Sequence, residues 1–466
     1  MDWKEVKYPK GSEALSSEFP DYDVVEHKIG NQTDATENAN KFFSLEVHKS
    51  SNGKWRVYSN YGRVDGNEYT GVVGVYGPSD EQEMRQFFAS KFKSKVRPSK
   101  GYVEVKFIKA SVGSPKARLK TYDILESEVP AEKKVKLTEE TKKTNKIDIH
   151  PTLAPLVEQW YRESSTAITK NSAVTITKHG LSTPLGVLTF SQLNKGKTVL
   201  GSLVQAIKDN NTKEIKKLSG EFYTHIPTTL GRKITDADLI TTDTVVQQKL
   251  DLIQMMNDAL DVGGITYTSD LDTKYLELGT KIEYIPKTDA EWKRIEHKIK
   301  STRGSTHYGT TDKVLNVFRL EMSADRNRYN GCTIGNEQEL FHGSRGSNIM
   351  GILKSGLKIA PPEAPRSGLA FGKGLYFGDK STKSLNYSLY PFPGVENSKN
   401  CFLFLFNVKL GKQLIKHWGS GDEHEECKKK MFDSTWGKEG NGLQYSEYII
   451  YNVAQCTGCY IVELQR

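Results

Sequence analysis

Apolar and polar positions alternate with a period of two along Lys41-Phe-Phe-Ser-Leu-Glu-Val-His48, Lys54-Trp-Arg-Val-Tyr-Ser-Asn-Tyr61 and Gly71-Val-Val-Gly-Val-Tyr76, which predicts three β-strands, with a helix following over 80–93. Farther along the period lengthens. Leu153, Leu156, Val157 and Trp160 stand at i, i+3, i+4 and i+7, one apolar helix face. Helices are predicted over 198–209, 213–223 and 243–262, the last striped by Val246, Leu250, Ile253, Met256 and Leu260. After Gly263-Gly264 a linker is expected to about residue 275. Apolar runs at 281–285, 315–320, 401–410 and 448–453 then read as strands of a mixed sheet with few, short helices, and 418–442 reads as a loop. Residues 1–39 are polar and aperiodic, and are expected to be a flexible extension.

A chain of 466 residues is too long for one core. The pattern gives an α+β multidomain protein: a small β-rich domain over 40–128, a basic linker over 129–147, an all-α region over 148–264 and a mixed-sheet domain over 275–466. Five cysteines without regular spacing, no apolar leader after Met1 and no long uncharged apolar run predict a soluble intracellular protein without membrane partners. The formal charge of +9 is concentrated: residues 91–147 hold 16 Lys and Arg against 7 Asp and Glu, and the remainder is neutral. A block of that kind fits a polyanion partner, and Lys133-Lys-Val-Lys136 fits a nuclear-import signal.

The chemistry lies near the C-terminus. Leu340-Phe-His342-Gly343-Ser344-Arg345, Ala360-Pro-Pro-Glu-Ala-Pro365, Phe371-Gly-Lys-Gly-Leu-Tyr376-Phe-Gly-Asp379, Ser381-Thr-Lys383-Ser384-Leu-Asn-Tyr387 and Tyr445-Ser-Glu447-Tyr448-Ile-Ile-Tyr451 follow in order. Together they resemble the catalytic domain of the poly(ADP-ribose) polymerases. The resemblance implies an ADP-ribosyltransferase fold, NAD as substrate and an oxocarbenium-like transition state that a carboxylate can stabilise, and the cysteine spacing predicts no metal. On it, Glu447 is the catalytic carboxylate, while His342 and Tyr376 complete a triad of polymer-forming members. The Gly343 backbone and Ser384 would bind the carboxamide, Tyr387 and Tyr376 would enclose the nicotinamide ring, Ser344 and Asn348 would face the adenosine half, and Lys383 would stand near the acceptor side. Phe341 replaces a frequent Trp, keeping an aromatic wall, and Lys358 replaces a frequent Arg, losing a planar fork.

Upstream, the strands, Tyr61-Gly62-Arg63 and the helix resemble a WGR domain with Tyr in place of the first Trp, which would give Trp55, Tyr61 and Arg63 DNA-facing roles, with packing in the core the other reading of Trp55. Pro184-Leu-Gly-Val-Leu-Thr and Ser219-Gly-Glu-Phe-Tyr-Thr-His-Ile-Pro227 resemble landmarks of the helical regulatory subdomain of that family, which covers the NAD site until DNA loosens it. The whole resemblance implies a nuclear enzyme activated by DNA strand breaks. It would act on protein acceptors including itself, with an accessory protein able to complete the acceptor site. A mono-ADP-ribosyltransferase and a catalytically silent DNA-binding scaffold are the alternatives. Three other motifs are set aside. Gly372-x-Gly374 lacks the third glycine of a dinucleotide fingerprint, Gly196-Lys197-Thr198 lacks the first glycine of a phosphate loop, and Cys456-Thr-Gly-Cys459 has no second cysteine pair.

Overall fold

Six strands form the first sheet, in the order β1-β5-β4-β3-β2-β6: β1 (Val6–Pro9), β2 (Asp23–Asp34), β3 (Ala39–Lys49), β4 (Trp55–Arg63), β5 (Val72–Ser79) and β6 (Val103–Val105). A computed structural model describes all of the chain except residues 1–2, 10–11, 35–38, 65–71, 106–146, 178–179, 184, 231–233, 308 and 366–368. The basic linker expected at 129–147, save its last residue, and Lys133–Lys136 thus lie outside the described residues. The chain divides into two compact units, Met1–Thr144 with Asn171–Leu260, and Asn145–Lys170 with Asp261–Arg466.

In the first unit, helix α1 (Glu81–Lys95) starts where the Asp80 carboxylate accepts the Glu83 N–H at 2.8 Å. Its Met84, Phe88 and Phe92 are spaced four apart and bury against Phe43, Leu45, Val47 and Val57 of the sheet. The expected flexible extension over 1–39 is corrected, since it contains β1 and the twelve residues of β2. Its polarity was misleading because β2 buries polar groups that find partners. Asn31 Nδ2 donates to the Thr224 carbonyl at 3.0 Å, and Thr33 N–H to Thr224 Oγ1 at 3.2 Å. Behind the strands, buried Arg56 donates to the carbonyls of Ala14 (2.6 Å) and Glu13 (2.7 Å) and to His48 Nδ1, while His48 Nε2 meets Glu46 at 2.7 Å.

Helix α2 (Ala154–Asn171) is all but its last residue part of the second unit. The first unit resumes with a small sheet of β7 (Thr175–Thr177), β8 (Gly180–Thr183) and β9 (Gly186–Val187), then α3 (Phe190–Lys208), α4 (Thr212–His225) and all but the last two residues of α5 (Asp243–Val262). Thr189 and Asn211 cap α3 and α4 through their side-chain oxygens. Gly196 lies inside α3, so no phosphate loop forms there.

The linker expected after Gly264 to about residue 275 is instead largely helical, within α6 (Gly264–Tyr267) and α7 (Leu271–Glu277), the second capped by Asp270. The second unit continues with β10 (Thr280–Ile285), α8 (Ala290–Ser301), β11 (Val314–Met322), α9 (Ser323–Gly331), β12 (Glu337–Gly343), α10 (Gly346–Ser355), β13 (Leu375–Phe377) and α11 (Ser381–Leu389). It ends with β14 (Asn400–Lys409), β15 (Gln413–Lys416), α12 (Glu423–Lys430), β16 (Ser434–Gly437), β17 (Glu447–Ile450) and β18 (Cys456–Gln465). The loop expected over 418–442 therefore carries a helix and a strand. The sheet β10-β11-β18-β14-β12 is antiparallel throughout, and the sheet β13-β17-β16-β15 is mixed because β15 and β16 run parallel. Phe402, Phe404, Phe406, Ile450 and Ile461 of these sheets share one core with Leu156, Val157, Trp160 and Tyr161 of α2. That helix belongs to the mixed-sheet unit because its apolar stripe is buried there.

Candidate active site

Strand β12 delivers Phe341 and His342 at its end, where His342 pairs with Phe404 of β14. A bridge between Phe341 and Gly378 carries the chain pairing on to β13, and β13 pairs with β17 through Tyr376 opposite Ile449 and Phe377 opposite Tyr448. Three adjacent strands therefore present His342, Tyr376 and Glu447, and Glu447 opens β17 one residue before Tyr448.

The His342 ring is held between Phe377 and Phe406. Its Nδ1 lies 3.0 Å from the Tyr376 carbonyl, an acceptor only, so Nδ1 carries the proton and Nε2 is left to accept. Burial pushes its pKa below the ordinary imidazole value, against the pull of that carbonyl. A neutral imidazole with Nε2 as acceptor suits a sugar hydroxyl.

Tyr376, expected to close on the nicotinamide ring, bonds the backbone through its hydroxyl. Its hydroxyl accepts the Phe371 N–H at 3.0 Å and donates to the Gly372 carbonyl at 2.7 Å, so it ties the loop before β13 back onto the strand. Burial first, then the charges of Glu447 and Glu423, hold the phenol above its usual range against the Phe371 N–H.

Helix α11 supplies Lys383, Ser384 and Tyr387 along i, i+1 and i+4. A side chain on Gly343 could not be accommodated, because a Cβ there would lie 1.8 Å from the Ser384 carbonyl oxygen. Ser384 Oγ donates to the Phe341 carbonyl at 3.2 Å, which leaves its lone pairs to accept from a carboxamide NH2. Tyr387 is exposed, and desolvation of its hydroxyl followed by the Glu447 charge raises its pKa. Glu447 thus acts on both Tyr376 and Tyr387. Lys383 Nζ stands 2.8 Å from Glu447 Oε1, with each side chain 17 % exposed.

Ser344 and Asn348 meet at the start of α10, where Asn348 Nδ2 donates to Ser344 Oγ at 3.2 Å. Phe341, expected as an aromatic wall, is instead fully buried with Ile285, Leu385 and Leu403, because its position on β12 faces the core. Lys358 is exposed.

Sequence reasoning overlooked one flank of the cleft. The segment after α8 places His307 beside Tyr445, with His307 Nδ1 at 3.0 Å from Thr382 Oγ1 and Tyr445 Oη accepting the Thr306 N–H at 2.8 Å. Thr302-Arg-Gly-Ser-Thr-His307 has no periodicity, and only Gly304, whose Cβ would lie 2.8 Å from the Tyr445 ring, hinted at a close contact.

In the first unit, the DNA-facing role expected of Trp55 is corrected: the residue is 6 % exposed and packs in the core beneath Lys49 and Arg85. Its place on β4 turns the indole toward α1. Tyr61 and Arg63 remain partly exposed. Lys41, Lys91, Lys95 and Lys100 gather on this unit, and their ammonium groups lie over Tyr102 (Lys41), Tyr76 and Phe87 (Lys91) and Phe43 (Lys95). Burial, then the charges of Lys91 and Lys100, hold Lys95 below its usual pKa. Cys456 and Cys459 lie on β18 and bond the Val453 and Thr457 carbonyls. Among the described residues no group of three or more His, Cys, Asp or Glu could hold a metal ion, and no helix is long and apolar enough to cross a membrane.

Three domain families match the chain in sequence. The WGR domain matches residues 28–108, the poly(ADP-ribose) polymerase regulatory domain 164–274, and the poly(ADP-ribose) polymerase catalytic domain 289–466. Poly [ADP-ribose] polymerase 2 of Zea mays is 27% identical over 98% of this chain and 74% of its own length, and the Arabidopsis thaliana protein of that name is 27% identical over 98% and 77%. Poly [ADP-ribose] polymerase 1 of Gallus gallus is 31% identical over 60% of this chain, which spans 31% of that relative.

Proposed function

The chain belongs to the poly(ADP-ribose) polymerase family and is an NAD+-dependent poly-ADP-ribosyltransferase, and from that premise we propose how its residues carry the reaction and what controls it. The glycosidic bond between nicotinamide and the ribose C1′ breaks, nicotinamide leaves with the bonding electrons, and cationic character develops on the sugar. Glu447 accepts the donor ribose 2′-hydroxyl and stabilises that cation, and the acceptor hydroxyl that attacks C1′ passes its proton toward the same carboxylate. Lys383 holds the carboxylate in place. His342 accepts an adenosine-ribose hydroxyl at Nε2, and Gly343 and Ser384 grip the carboxamide. Tyr376 and Tyr387 enclose the nicotinamide ring, with Ser344 and Asn348 on the adenosine side. The Lys383–Glu447 pair beside two tyrosines that feel its charge carries this reading.

For the control, we propose that DNA with strand breaks binds the first unit. Lys41, Lys91, Lys95 and Lys100 support this, since clustered cations over aromatic rings suit a phosphate backbone, and the basic stretch through 91–147 adds to the field. Residues 172–260 restrain the enzyme until DNA binds. The acceptors are proteins, including the enzyme itself, the compartment is the nucleus, and an accessory protein completes the acceptor site. Incubation with labelled NAD+, with and without nicked DNA, tests the proposal through nicotinamide release and product length on a gel. DNA-stimulated release with long products is expected, and equal release without DNA would remove the proposed control.

A further inference from the structure

Glu163 of α2 carries a carboxylate for which the reaction described above has no use. The residue is 8 % exposed, and its Oε1 accepts from Gln159 Nε2 at 2.7 Å and from Ser398 Oγ at 2.6 Å. Its other oxygen faces the first residue of α10. A Cβ built on Gly346 would lie 2.0 Å from Glu163 Oε2, so the carboxylate rests against a bare α-carbon that only glycine offers. The next turn of chain on either side holds Ser344 and Asn348, the pair assigned to the adenosine half of NAD+.

Packing of α2 gives no reason for a charge here. Leu156, Val157, Trp160 and Tyr161 already anchor the helix in the core, each worth about 2 kcal/mol of apolar burial. A nearly buried carboxylate is costly to desolvate, so an apolar residue would hold the helix at least as well. What the carboxylate does contribute is position and sign. It stands at the N-terminus of α10, where negative charge steadies the first turn, and its Oε1 is held by Gln159 and Ser398.

We infer that Glu163 is a positioning residue for NAD+ binding: by resting on Gly346 and being clamped by Gln159 and Ser398, it fixes the turn that presents Ser344 and Asn348 to the adenosine half. The inference rests on the NAD+ reading of that turn. It reaches the substrate only through the α10 turn, so it governs affinity for one half of the dinucleotide and leaves the chemical step alone.

The test uses the full chain with saturating nicked DNA and compares Glu163→Gln, Glu163→Ala and Gly346→Ala. Loss of the carboxylate is expected to raise KM for NAD+ roughly 5- to 30-fold with kcat within about twofold. ADP-ribose, a probe of the adenosine half, should weaken as an inhibitor by the same factor, while benzamide, a probe of the nicotinamide half, should be unchanged. Glu163→Gln, which keeps the shape and loses the charge, should fall between wild type and Glu163→Ala and guards against misfolding. Gly346→Ala should mimic Glu163→Ala in the wild-type background and add little to it, because the space is then vacant. Unchanged or lowered KM in Glu163→Ala, or equal weakening of ADP-ribose and benzamide, would overturn the role. No nicotinamide release from the unaltered chain would bring down the reading of the site itself, and this role with it.

Discussion

Lys383 Nζ lies 2.8 Å from Glu447 Oε1 and also donates to the backbone carbonyls of Tyr445 (3.0 Å) and Ser446 (3.3 Å). One ammonium therefore fixes both the carboxylate and the chain that leads into β17. Replacement by Met keeps the stem and removes the charge, leaving a partly buried Glu447 without its partner. Lys383→Met is expected to lower kcat for nicotinamide release at least about tenfold, with a smaller change in NAD+ affinity. Steady-state kinetics with separate binding isotherms checks the split, and a normal kcat would mean the pair is only structural.

Glu447→Gln preserves shape while removing the negative charge that faces the developing cation. Chain elongation should disappear and nicotinamide release should fall by about 100-fold or more. NAD+ binding should stay within a few-fold of wild type. Polymer of ordinary length in this variant would refute the role given to Glu447.

Tyr376→Phe isolates the hydroxyl that bridges the Phe371 N–H and the Gly372 carbonyl. The ring remains to stack, so the loss falls on the loop. The expected cost is about 1–2 kcal/mol of stability, with a raised KM for NAD+ and faster amide exchange at Phe371. Exchange at Phe371 equal to that of wild type would show that the hydroxyl does not hold the loop.

Much of this site was legible because its glycines and aromatics stand at positions that the geometry forces. Gly343 is required by the Ser384 carbonyl, and the stripe on α5 matched its helix end to end. Other features left no pattern. Asn31 and Thr33 read as solvent-exposed until α4 supplies their hydrogen-bond partners, which periodicity within β2 does not reveal. For Trp55 the strand pattern leaves both a core place and a DNA-facing one open, because the helix that covers it lies 25 residues or more downstream. The apolar face of α2 was visible, but the surface it meets is formed by strands that begin more than 100 residues downstream, so its assignment to the catalytic unit required coordinates.

Buried Glu46, His48 and Arg56 make stability depend on pH. Burial, against the opposing Arg56 charge, pushes the Glu46 carboxyl from 4.5 up to about 8, and burial with Arg56 lowers His48 well below 6.5. The raised Glu46 contributes stability that is complete at low pH and is lost as pH rises through about 8. The depressed His48 has the opposite sign, and its contribution is complete above 6.5. Above pH 6.5 only the Glu46 effect remains, so the first unit should lose up to roughly 1.4 kcal/mol per pH unit toward pH 8. Hydrogen exchange of β3 and β4 amides, corrected for intrinsic rates, measures it. Glu46→Gln should flatten the slope, and an unchanged slope would rule the carboxyl out as its source.

Where the helical region is cut decides what a deletion reports. Removing residues 150–260 strips Leu156, Val157, Trp160 and Tyr161 from the catalytic core, and large core chains cost about 3–5 kcal/mol each when truncated. That protein should be insoluble or inactive for reasons unrelated to regulation. Replacing only residues 172–260 by a flexible linker keeps α2, with Trp160 against Phe402 at 5.6 Å and Glu158 paired to Lys274 at 2.6 Å. This second variant should stay folded and release nicotinamide without DNA at a rate near that of the DNA-stimulated wild type. Thermal melting establishes the fold and nicotinamide release with and without nicked DNA establishes the regulation. A folded variant with wild-type basal activity would show that residues 172–260 do not restrain the enzyme.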